Sequence, residues 1–98
     1  MSRGLDRETR VAQLLEEQGY VCGSRRHIGG AGDILAVGLV AKRLIEVKST
    51  ITPYAHFLPA DRAAMSALAR SIDAVAELAW WPKRGKLRFI AEDEWPKR

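Results

Sequence analysis

Along the chain, apolar residues recur first at helical spacing and then in short dense runs. Leu5, Val11, Ala12 and Leu15 share one face at the period of about 3.6 residues of an α-helix, and Gly19 stands where a left-handed residue closes such a helix. One member of that stripe, Glu8, is a carboxylate. The run Tyr20-Val21-Cys22 predicts a short strand, and the basic, glycine-rich segment from Gly23 to Gly32 predicts a loop whose backbone approaches a ligand closely. Two strands follow, near Asp33–Val37 and Leu44–Val47, joined through Gly38-Leu39-Val40-Ala41-Lys42. Both are apolar on each face, so the hairpin is expected at the centre of a sheet covered on both sides.

Pro53 and Pro59 punctuate the next loop, after which Asp61, Met65, Leu68 and Ile72 mark one side of a second helix, with Ala64 and Ala69 allowing close packing. That helix is a crossover to a strand around Ala76–Trp81 that runs parallel to an earlier one; the turn Lys83–Lys86 leads to a last strand, Leu87–Ala91. The order is α-β-β-β-α-β-β. It predicts an α/β fold with a central mixed five-stranded sheet flanked by helices.

Composition narrows the class. Ninety-eight residues suit a single domain over 1–98 with one core, and so small a unit is expected to gain stability as a homodimer. Sixteen Lys and Arg against twelve Asp and Glu leave a charge of +4, which permits a polyanionic partner without identifying one. Cys22 is the single cysteine and forms no internal disulfide. No apolar run approaches the roughly 18 residues of a membrane span, and the first residues lack the apolar core of a secretory signal, so no membrane association and a reducing cytoplasm are expected.

The candidate chemistry lies in the hairpin. Alternation puts Glu46 and Lys48 on one face of their strand. A turn centred near Val40 sets Asp33 opposite the neighbourhood of Val47, and a shift of one residue brings its carboxylate beside Glu46. Two close carboxylates repel unless a cation lies between them, and hard oxygen donors select Mg²⁺, with Mn²⁺ able to substitute. Such an ion polarises a phosphate and acidifies a bound water, while Lys48 orients the nucleophile or offsets charge growing on the phosphate. This is the chemistry of phosphodiester hydrolysis. Glu8, costly to desolvate alone, gains a partner if it binds the ion, holds a coordinated water or bonds Lys48. Taken singly, these residues have ordinary readings: Glu8 as a first-turn acid, Asp33 as a turn residue, Glu46 and Lys48 as a solvated pair. Their joint spacing in a buried hairpin favours the site.

The segments "GDILA" and "IEVKST", preceded by a helix carrying Glu8, resemble the PD-(D/E)XK nuclease superfamily, most closely the archaeal-type Holliday junction resolvases. "RGLDRETRVAQLLEEQGYVC" resembles the opening of those proteins and "ELAWWPKRGKLRFI" their closing strands, so the likeness covers most of the chain. The resemblance implies that Asp33 and Glu46 bind the metal with the Val47 carbonyl, that Glu8 is the helical acid and that Lys48 is the catalytic lysine. It also implies a homodimer that nicks paired strands of four-way junction DNA. Gly32 stands where the family has proline, the loop from Gly23 to Gly32 is short, and Arg62 stands where related modules carry glutamine. Ser24 is the candidate for a loop serine tied to activity.

Further DNA contacts are expected from the basic loop, Arg25, Arg26 and His27 beside Ser24, and from Arg3, Ser49 and Arg62. His56 and Tyr54 are near enough in sequence to touch substrate but are not assigned to catalysis. Adjacent Trp80 and Trp81 are expected to face opposite sides of their strand, Cys22 to be a buried small apolar residue, and Trp95 to anchor the tail. Two other readings stay open: a nuclease for flaps, nicked or single-stranded DNA, and a non-catalytic DNA-binding module on the same fold.

Overall fold

The computed structural model describes residues 3–24 and 31–97, with side chains from Asp6 onward in the first helix. The first apolar stripe forms α1 (Arg3–Glu17), on which Val11 and Leu15 are fully buried. Gly19 closes it at φ +99°, and the Tyr20 N–H turns back to the Leu15 carbonyl at 3.1 Å. The strands are β1 (Val21–Ser24), β2 (Ile34–Val37), β3 (Lys42–Lys48), β4 (Val75–Trp80) and β5 (Arg88–Ala91). The crossover helix between β3 and β4 is α2 (Pro59–Ser71). Gly23 and Ser24, expected in the loop, belong to β1 because they pair with Leu35 and Ile34.

The five strands lie in sequence order. β2 is antiparallel to both of its neighbours, β1 and β3, while β3 and β4 are parallel and β5 is antiparallel to β4, so the sheet is mixed and β3 is its middle strand. Helices cover both faces. Val11 and Leu15 of α1 pack with Ile34, Ala36, Ile45, Val47 and Ala79, while Met65 and Ala69 of α2 pack with Leu44, Ala76, Leu78 and Ile90. Each such fully buried Leu, Ile or Met side chain contributes about 1.5–3 kcal/mol by leaving water.

Met65 and Leu68 of the expected inward side of α2 pack on the core, but in the first turn Arg62 rather than Asp61 points inward. Arg62, Met65 and Ala69 are buried, whereas Asp61 is exposed and its Oδ2 accepts the Leu58 N–H at 3.0 Å, satisfying a donor that the helix start leaves open. Arg62 is 6% exposed, donates to the Phe57 carbonyl and lies 5.6 Å from the Tyr54 ring centre. Trp95 anchors the tail: its ring meets Phe57 edge-on at 4.9 Å and its Nε1–H donates to the Ile90 carbonyl at 3.0 Å.

Trp80 and Trp81 do face opposite sides, the first against the α2 cluster and the second against the α1 cluster. Cys22 is half-buried, with Sγ donating weakly to the Ala12 carbonyl at 3.7 Å. On the α1 face, Arg43 and the buried Glu77 form a two-pronged pair, Nε to Oε2 at 2.6 Å and NH2 to Oε1 at 2.8 Å. Among the described residues no helix is long and apolar enough to cross a membrane.

Candidate active site

Backbone register brings the two carboxylates together. Ile34 lies opposite Ile45, and just outside the ladder the Asp33 N–H donates to the Ile45 carbonyl at 2.8 Å. Asp33 is thus anchored just before β2, beside the stretch of β3 that carries Glu46. Its Oδ2 accepts the Val47 N–H at 2.7 Å, which fixes the carboxylate at the strand edge.

Alternation along β3 does the rest. Leu44 belongs to the α2 cluster and Ile45 and Val47 to the α1 cluster, so Glu46 and Lys48 project on the α2 side. Lys48 Nζ lies 3.2 Å from Glu46 Oε2. Asp33, Glu46 and Lys48 line one cleft of about 470 Å³ with Ala31, Gly32, His56, Phe57, Asp61 and Ala64. Gly32 enters it at φ +85°, and a Cβ there would meet Leu44 Cδ1 at 2.9 Å. Proline, held near φ −65°, does not fit this backbone, so the route into Asp33 differs from the proline-led family pattern.

Among the described residues lining the cleft, three carboxylates, Asp33, Glu46 and Asp61, accompany one lysine, Lys48. Burial raises the Glu46 carboxyl to about 7, Asp33 and the more distant Asp61 add to the rise, and Lys48 opposes it. A carboxyl that retains its proton near neutral pH beside a second carboxylate is a place where a divalent cation relieves both desolvation and repulsion. Among the described residues no three His, Cys, Asp or Glu side chains gather as a ligand set. Two carboxylates plus water and phosphate oxygens nevertheless suit Mg²⁺, which keeps much of its hydration shell and takes few protein ligands.

The other expected site residues are placed as follows. Val47 buries its side chain on the α1 side and offers the site only its backbone. Glu8, half-buried on α1, does not line the cleft. Ser49 follows Lys48 half-buried, and exposed Ser24 ends β1. Arg62, expected to contact DNA, is instead inside the fold, where its charge holds the Phe57 carbonyl and the Tyr54 ring. The Arg3 side chain and residues Arg25, Arg26 and His27 lie outside the described residues. Asp61 and His56 enter the cleft without having been assigned to it. The signal for Asp61 is Pro59, which opens α2 and puts Asp61 in its first turn.

The described residues form a five-stranded mixed sheet with a helix on each face, and Asp33, Glu46 and Lys48 share a cleft near the end of its middle strand. Among solved structures, the chain is similar to Archaeoglobus fulgidus Hjc, a Holliday junction resolvase from an archaeal hyperthermophile, with a TM-score of 0.76 and 21% identity over 94% of this chain and 75% of that one. A scan against protein-family models finds no match, and neither does a search of curated proteins.

Proposed function

We propose that this chain is a Mg²⁺-dependent, structure-selective DNA endonuclease that resolves four-way junctions as a homodimer, each copy nicking one strand. The observation that carries the reading is the convergence of Asp33, Glu46 and Lys48 on one cleft, with the Glu46 carboxyl raised to about 7. Asp33 and Glu46 would hold the ion, with the Val47 carbonyl as a further oxygen; Mn²⁺ would serve in its place. When bound, the ion supplies charge to polarise the scissile phosphate and to acidify water.

The chain's own residues set the geometry. The Val47 N–H holds Asp33 in place, and Lys48, 3.2 Å from Glu46, presents its ammonium to a phosphate oxygen or to the attacking water. Water adds to phosphorus and the bond to the 3′ oxygen breaks; the leaving oxygen takes a proton, giving 3′-hydroxyl and 5′-phosphate ends. The fold's likeness to a Holliday junction resolvase supports the four-way junction over other branched substrates.

A labelled four-way junction incubated with the protein, with and without Mg²⁺, tests this. Paired symmetric nicks that depend on Mg²⁺ and disappear in Asp33→Asn and Glu46→Gln are expected. Cleavage at the native rate in either variant or in EDTA overturns the reading. Cuts confined to flaps, nicked duplex or single strands would replace the substrate, and junction binding without any nicking would leave a non-catalytic DNA-binding module.

A further inference from the structure

On the α1 side of the sheet, one indole carries two guanidiniums. Arg7 Cζ lies 4.3 Å and Arg10 Cζ 5.1 Å from the Trp81 ring centre. The two arginines are one turn apart on α1 and so face the same way. Arg7 also donates from NH2 to the Lys83 carbonyl at 3.4 Å, tying α1 to the turn between β4 and β5. That turn adds Lys83, Arg84 and Lys86, all exposed. Among the described residues none of these cations pairs with a carboxylate. Stacking on the ring holds each guanidinium over the indole and leaves its charge in place. The result is a positive face that forms no ion pair among the described residues.

Its position gives the face a purpose. The Trp81 N–H donates to the Lys48 carbonyl at 2.8 Å, so the indole sits one residue past the Lys48–Trp80 pair that ends the parallel β3–β4 ladder. The candidate cleft opens on the α2 side of that edge and the Arg7–Trp81–Arg10 stack lies on the α1 side. A backbone passing over the C-terminal ends of β3 and β4 meets both. Duplex DNA presents a phosphate charge every ~1.7 Å of its axis, and guanidinium forks bind phosphates with two parallel hydrogen bonds. We infer that the Arg7–Trp81–Arg10 stack and the Lys83–Lys86 turn form a second backbone-binding face, which holds a duplex arm of DNA as it leaves the cleft. The inference rests on the nuclease reading for why DNA is there, but it requires binding only, not cleavage.

Fluorescence anisotropy of a labelled junction and a plain duplex, measured in EDTA over a salt series, tests it. Arg7→Gln/Arg10→Gln is expected to weaken binding roughly tenfold and to flatten the slope of log K against log salt by about 2, near 0.9 for each phosphate no longer neutralised. Lys83→Gln/Arg84→Gln/Lys86→Gln flattens it by up to about 3, while Arg7→Lys/Arg10→Lys keeps the slope. Arg70→Gln, at the far end of α2, changes neither quantity. The turn variant reads the same face outside the core should the helix variant fail to fold. If both glutamine variants keep the native affinity and slope while the protein binds and cuts junctions, this inference fails and the nuclease reading survives. If the slope falls but no Mg²⁺-dependent nick is seen, the reverse holds. Absence of any DNA binding defeats both.

Discussion

The Val47 N–H donates to Asp33 Oδ2 at 2.7 Å, across the β2–β3 hairpin and within one residue of Glu46. A backbone donor from the middle strand thus aims the first carboxylate at the second. Asp33→Asn retains an acceptor oxygen and is expected to unfold at nearly the native denaturant midpoint. Asp33→Ala leaves the donor without its partner and is expected to cost about 1–3 kcal/mol in the same urea titration.

Glu46 makes stability depend on pH. Its carboxyl titrates near 4.5 when unfolded and about 7 when folded, so between those values the folded chain binds the extra proton and stability falls as pH rises. The whole window amounts to roughly 3 kcal/mol at about 1.4 kcal/mol per pH unit. Thermal melts without metal are expected to show a decline from pH 5 to pH 8 that Glu46→Gln largely removes. Added Mg²⁺ restores more stability at pH 8 than at pH 5, since at low pH the ion must displace a proton.

Gly32 is locked by its conformation and by its neighbour. Alanine at φ +85° is strained, and its methyl meets the Leu44 side chain at 2.9 Å. Gly32→Ala is expected to lower stability by about 1–3 kcal/mol and to reduce Mg²⁺ affinity measured by calorimetry, because the residue it displaces first is Asp33.

The Arg43–Glu77 pair is a structural element on the opposite face from the cleft. Arg43 also lies 4.8 Å from the Phe89 ring centre and 5.3 Å from that of Tyr20, which leaves its charge little water to return to. Glu77→Ala should cost about 3–5 kcal/mol by stranding the guanidinium. Replacing both partners by apolar residues of similar volume should recover most of that loss, as a double-mutant cycle in denaturant would reveal, with Mg²⁺ affinity unchanged throughout.

What the sequence discloses follows from periodicity. Alternation places Glu46 and Lys48 together, the apolar strands announce a hairpin covered on both faces, and the turn length brings Asp33 to within one register step of its partner. Where local contrast is weak, the phase is lost: α2 is mostly alanine around Arg62, so its inward face could be drawn through Asp61 as readily as through Arg62. Contacts between distant segments carry no period at all. Arg43 meets Glu77 across parallel strands separated by a whole helix, and Arg7 meets Trp81 from the other end of the chain. Such partners are set by the packing of elements rather than by any pattern within one.

The middle position of β3 gives the cleft mechanical shelter. Fraying at either border of the sheet must unzip β1 and β2, or β5 and β4, before it touches the strand that carries Glu46 and Lys48. Amide protons of Ile45 and Val47 should therefore exchange with solvent only through whole-molecule opening, so the margins of the sheet can yield while Glu46 and Lys48 stay in register.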